Sequence, residues 1–168
     1  MRLTVDEKTE QPTKVADEVW IATALLHREQ PERKDFTIQE IQERAAREAM
    51  TETLRPGVYV HIVQHCVANR SPNPGRYRML FATAPKTRRL FREGDTYDPE
   101  RAGSKTRPDR KNVPGQYRDL IDWYDRDYRE RRGSDDEDPI LNLRGLGAEL
   151  WRGIDPDEYV RRLREGWE

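Results

Sequence analysis

The chain has 168 residues, of which 34% are hydrophobic and 38% charged, with 32 acids against 31 lysines and arginines and a mean hydropathy of -1.10. That balance argues against one compact core spanning the whole length. The single cysteine, Cys66, excludes an intramolecular disulfide and suits a reducing cytoplasm. No apolar run approaches the roughly 18 residues of a membrane span, and the N-terminus lacks a signal-peptide apolar region, so a cytoplasmic protein is expected.

Residues 1–13 are polar and carry Pro12, which reads as a loose arm. From 14 to 30, Val15, Val19, Ala22, Leu25 and Leu26 recur at helical spacing, and Pro31 stops the helix. Thr37 with Glu40 three residues on is a capping box, so a second helix is expected with Ile38, Ile41 and Ala45 on one face, ending near Met50. Pro56 suits the first position of a third helix, which places Val58, Ile62, Val63 and Cys66 on one side and His61, Gln64, His65 and Ala68 on the other. Its β-branched residues make a strand the competing reading, and the 3.6-residue period favours the helix. The run Ser71-Pro72-Asn73-Pro74-Gly75 is a turn. Residues 77–82 alternate as a strand, Pro85 and Lys86 break it, and 87–92 form its return.

Helix, helix, helix and two-stranded hairpin in that order predict a winged helix-turn-helix, in a fold that is mainly α with a small β-hairpin. The third helix would enter the major groove and the hairpin would lie on the backbone. Residues 95–115, rich in Pro, Gly and charge, read as a long loop. A further helix over 116–131 carries the stripe Tyr117, Leu120, Ile121, Tyr124 and Tyr128, which either closes the core or forms a homodimer seam. These elements make up a domain over residues 1–132. Residues 133–139 (GSDDEDP) are an acidic, flexible linker to a separate tail over 140–168. From Gly133 onward ten acids face five arginines.

Charge is distributed unevenly. Residues 53–92 contain no acid, where the chain's own density would give roughly seven or eight. They hold eight bases, Arg55, Arg70, Arg76, Arg78, Lys86, Arg88, Arg89 and Arg92, beside His61 and His65. Operator double-stranded DNA is the expected partner. Arg76, Arg78, Arg88 and Arg89 are the expected phosphate contacts, Arg55, Arg70 and Lys86 further DNA-binding residues, and His61, Gln64 and His65 the candidates for base edges. The bland alternative is a solvated face whose charges pair with acids elsewhere. His61 and His65 stand at a metal-ligand spacing, but a zinc site needs two more ligands, so no metal is expected. No nucleophile–base pair, carboxylate dyad or phosphate-binding glycine loop stands in usable context, so neither catalysis nor a cofactor is expected.

In the tail, Asp155 suits an N-cap and Pro156 the first helical position. Tyr159, Val160, Leu163 and Trp167 share a face, with Arg161 and Arg162 turned away. So short a helix is marginal alone, and with Leu146, Leu150 and Trp151 it reads as a segment that orders on a partner.

Two resemblances accompany this reading. VYVHIVQHCVANRSPNPGRYRML, with the helices before it, resembles a family of uncharacterised bacterial winged-helix domains, over about 15–128. GAELWRGIDPDEYVRRLREGWE is similar to the C-terminal toxin-binding tails of VapB-type antitoxins, which wrap around PIN-domain ribonuclease toxins. The second resemblance implies a type II antitoxin that inhibits a PIN-domain ribonuclease and represses its own operon. It implies toxin contacts from Leu146, Leu150, Trp151, Arg152, Tyr159, Arg161, Leu163, Arg164 and Trp167. A guanidinium, Arg164 before Arg161, would enter the toxin's carboxylate cluster. The chain departs from the usual VapB pattern at its N-terminus, where a larger winged helix replaces the small DNA-binding domain. A stand-alone winged-helix regulator, or the DNA-targeting module of a restriction or defence system, are the alternatives.

Overall fold

The computed structural model describes residues 12–48, 50, 54–131 and 161–162. The chain divides into two units, Met1–Arg131 and Arg132–Glu168. In the second unit only Arg161 and Arg162 are described, both helical and exposed. The expected linker and the other tail residues, Leu146, Leu150, Trp151, Arg152, Tyr159, Leu163, Arg164 and Trp167, lie outside the described residues.

The first unit is helix-rich with a small three-stranded antiparallel sheet. Helix α1 (Val15–Glu29) is buried along most of its length, and Trp20, Ile21 and Ala22 have no exposed surface. Trp20 meets Tyr124 edge-on at 5.5 Å between ring centroids. The two-residue strand β1 (Phe36–Thr37) leads directly into α2 (Ile38–Glu48). The capping box forms as expected: the Glu40 amide donates to Thr37 Oγ1 at 3.1 Å and the Thr37 amide to Glu40 Oε2 at 2.8 Å. Glu40 also takes a two-pronged contact from Arg33, at 2.6 and 3.1 Å. That guanidinium holds its carboxyl down at about 2.

Helix α3 (Gly57–Val60) continues without a break into a wider π segment (His61–His65), in which the Cys66 amide reaches back five residues to the His61 carbonyl at 3.0 Å. Together they form one helical rod over 57–65. Its inner face is Val58, Ile62 and Cys66, all fully buried. Val63, expected with them, is half-exposed, and Ala68, expected outside, is buried. The wider turn rotates Val63 against a 3.6-residue register, whereas Ala68 lies past the rod's end, where its amide donates to the Leu80 carbonyl at 2.8 Å.

Strand β2 (Leu80–Ala84) turns at Pro85-Lys86 into β3 (Thr87–Leu90). The sheet order is β1-β3-β2, so β3 is central, with Phe36 opposite Arg88 and Leu80 opposite Leu90. The stretch read as a long loop is one, and it is pinned to the fold. It carries short 3-10 turns at Pro99–Arg101 and Arg110–Asn112, and it buries Arg101 and Val113. A 3-10 turn (Gly115–Tyr117) opens α4 (Arg118–Trp123), which widens into a second π segment (Tyr124–Tyr128). Tyr117, Leu120, Ile121, Tyr124 and Tyr128 are all buried in the core with α1, so the stripe closes the unit's own core. No helix among the described residues is long and apolar enough to cross a membrane.

Candidate nucleic-acid interface

The α3 rod stands on α1 and α2, and its inner face is fixed by packing. Its outer face consists of Tyr59 and Val60, 51% and 42% exposed, followed one turn on by the half-exposed Val63 and Gln64.

Two buried guanidinium groups hold this rod in place. Arg88, on central strand β3, has no exposed surface. Its Nε donates to the Ile62 carbonyl at 3.1 Å, and its Nη1 to the carbonyls of Ala84, Pro85 and Thr87 at 3.0, 3.3 and 2.7 Å. One side chain thus ties the β2–β3 turn to the middle of α3. The π widening explains the first contact: the Cys66 amide serves His61, and Ile62's carbonyl is taken by the arginine. Arg101, also without exposed surface, reaches the other end. It donates to Gln64 at 2.9 Å, His65 at 2.8 Å, Arg70 at 2.6 Å and Tyr77 at 2.7 Å, all backbone carbonyls, with Ser71 at 3.5 Å. The carbonyl end of a helix is its negative pole, so Arg101 sits where the helix dipole favours a cation. Burial pulls Arg88 down to about 10, which leaves it charged at neutral pH.

The residues expected at DNA therefore fall into separate groups. Arg88 and Arg89 are corrected: neither reaches the surface. Arg89 is buried and pairs with Asp95 through both oxygens, at 2.7 Å each. Its guanidinium also lies 4.5 Å over the Phe81 ring. Arg55 is committed to the buried Glu18 carboxylate at 2.5 Å and to the Thr13 carbonyl at 2.7 Å. Arg78 is half-exposed, with Nε on the Ser104 carbonyl at 3.1 Å and its guanidinium 4.5 Å over the Tyr97 ring. Arg76 and Lys86 are exposed and Arg70 half-exposed.

The three polar candidates for base edges are largely occupied. His61 contacts the Gly57 carbonyl through Nδ1 at 2.8 Å and meets His65 edge-on. The Gln64 amide nitrogen donates to the Ser71 carbonyl. Gly75 packs so tightly on His65 that a Cβ there would sit 2.7 Å from the His65 Cβ, and His65 Nδ1 is buried without a partner. That contact is a physical reason for glycine at 75. The outward residues that sequence reasoning missed are Tyr59, Val60 and Val63. The signal was their i, i+1, i+4 spacing opposite Val58 and Ile62, hidden by an assumption that base readers are polar.

Elsewhere, a cavity of about 410 Å³ is lined by Arg78, Phe91, Tyr97, Thr106, Tyr124 and Arg129, with Glu93, Gly94 and Asp95 completing its wall. Its carboxylates are engaged, Asp95 by Arg89 and Glu93 by Arg129 at 3.4 Å. Among the described residues no cluster of three or more His, Cys, Asp or Glu could hold a metal. Cys66 is fully buried, which pushes its thiol well above the ordinary value and makes it a poor nucleophile. No family model, no curated protein and no solved structure matches the chain.

Proposed function

We propose that this chain is an antitoxin whose first unit is a winged helix-turn-helix that binds operator DNA, and whose tail binds and inhibits a PIN-domain ribonuclease. The observation that carries the DNA-binding half is topological. Helix, strand, helix, helix and hairpin follow in order, the sheet runs β1-β3-β2, and α3 presents an outward face beside the hairpin turn. This is the layout a winged helix uses to place a helix in the major groove with the hairpin against the backbone. The absence of acids from 53 to 92 leaves Arg70, Arg76 and Lys86 unopposed within that stretch, which supports an anionic partner. The toxin-binding half rests on the chemistry of 147–168 and its resemblance to VapB-type tails.

The test has two arms on the full chain. Binding to duplex from its own upstream region should weaken steeply with salt and exceed binding to unrelated duplex. Co-expression with a neighbouring small nuclease should restore growth, and a chain ending at Gly133 should not. Salt-insensitive or absent duplex binding removes the first half of the proposal, and rescue by the shortened chain removes the second.

A further inference from the structure

The outer face of α3 poses a chemical question, because its half-exposed polar side chains His61 and Gln64 are bonded back to the backbone and its most exposed positions are Val60 and the Tyr59 ring. Leu54, Tyr59 and Val60 are three of the four exposed large hydrophobics among the described residues, the fourth being Tyr97. Valine cannot hydrogen-bond a base edge. What it can do in a major groove is cover the C5 methyl of thymine, the one apolar group that a base pair displays there. Charge selects DNA over an apolar protein surface as the occupant. Arg88 brings the Pro85-Lys86 turn within one side chain of Ile62, so the exposed Lys86 stands beside the rod. Arg70 follows the rod's end, and no acid lies anywhere between 53 and 92.

We infer that Val60 and Val63, with the Tyr59 ring beside them, read thymine methyl groups, so that the chain selects duplexes with thymines at fixed positions in the groove that α3 enters. The inference rests on the DNA-binding reading above and adds its specificity. His61, Gln64 and His65 then act as positioning residues, holding the rod's shape through Gly57, Ser71 and Gly75.

The experiment uses the full chain and a randomised duplex library. The selected duplexes should share recurrent thymines. The best of them is then remade with deoxyuridine for thymidine, which deletes the methyls and leaves every hydrogen-bonding group in place. Affinity should fall about fourfold for each methyl covered, the cost of exposing one buried methylene-sized group. Val60→Ala should weaken binding to the thymine duplex by a similar factor and should lose much of its response to uracil. Val60 is exposed, so this variant keeps its fold. Salt-dependent binding with equal affinity for the thymine and uracil duplexes overturns the methyl reading and leaves DNA binding standing. Absence of binding to every duplex overturns both and gives the α3 face to a protein partner.

Discussion

The turn before β2 and the strand β3 both carry arginines inside the same acid-free stretch, and they put them to opposite uses. Arg76 stands exposed and Arg70 half-exposed around the turn, whereas Arg88 and Arg89 are buried on the sheet's central strand. The difference lies in what surrounds each guanidinium. Arg88 finds four backbone carbonyls within hydrogen-bonding distance, and Arg89 finds both oxygens of Asp95. Arg89 is satisfied by the protein alone, whereas Arg88 uses Nε and Nη1 in this way and keeps Nη2 buried without a partner. Absence of acids from a segment is thus an ambiguous signature: it can mark an anion-binding surface, or arginines that serve backbone carbonyls, as Arg88 does, or carboxylates outside the segment, as Arg89 and Arg55 do.

The comparison breaks most visibly if a buried arginine proves dispensable. Arg89→Met leaves the Asp95 carboxylate, itself only 5% exposed, facing a thioether, and should cost on the order of 3–5 kcal/mol. Arg101→Met removes the donor for four carbonyls at 2.6 to 2.9 Å and should cost about 3 kcal/mol or more. Both are read from urea unfolding at neutral pH. A loss under about 1 kcal/mol in either would mean that these groups are satisfied by water, and that burial does not separate the two kinds of arginine.

A smaller effect sharpens the comparison through a neighbour of the buried cations. His27 is 2% exposed, accepts from the Leu90 amide at 3.3 Å and packs edge-on against Phe36. Burial first, then the nearby Arg92 and Arg89, press it down to about 3. The folded chain holds it neutral while the unfolded chain protonates it near 6.5. Stability is therefore complete above that value and is lost as pH falls from 6.5 toward 3, by at most about 1.4 kcal/mol per pH unit. Between pH 6.5 and 5 the Glu40 carboxyl stays ionised in both states, so it adds nothing there. His61, lowered chiefly by burial, slopes the same way. Unfolding of His27→Gln at pH 6.5 and 5 should show a shallower loss than the parent chain, and an equal slope would mean that the imidazole is solvated.

How much of this was legible in the sequence differs by element. The capping box at Thr37 and Glu40 and the stop of α1 before Pro31 follow from local spacing and form as read, and of the inward set Val58, Ile62, Val63 and Cys66 all but Val63 are buried. Strand β1 was invisible, because two residues carry no period and exist as a strand only through pairing with β3. The tyrosine stripe could serve a core or a seam until its burial against α1 decided. Among the candidate contacts, Arg76 and Lys86 lie at the surface as read, whereas Arg88 and Arg89 could not be told from them. Arginine is ordinarily a surface residue, and what overrides that here is tertiary: for Arg88 a ring of carbonyls made available by a π widening and a tight turn, and for Arg89 the Asp95 carboxylate.

The smallest expected effect on stability is also the one that most directly separates the two kinds of arginine. Arg76 and Lys86 are exposed, and no hydrogen bond or ion pair to their side chains is found among the described residues. Replacing both with glutamine should change unfolding free energy by less than about 0.5 kcal/mol, the ordinary range for surface positions. If both sit on phosphate, the slope of log affinity against log salt should become shallower by roughly two, close to 0.9 per contact, on specific and unrelated duplex alike. A matched double variant in β3 should behave in the reverse way, with unfolding strongly shifted and the salt slope of whatever remains folded unchanged. Should the Arg76 and Lys86 double variant keep its full salt slope, Arg76 and the hairpin turn both leave the interface. The contacts to DNA would then have to come from Arg70 and the α3 rod alone.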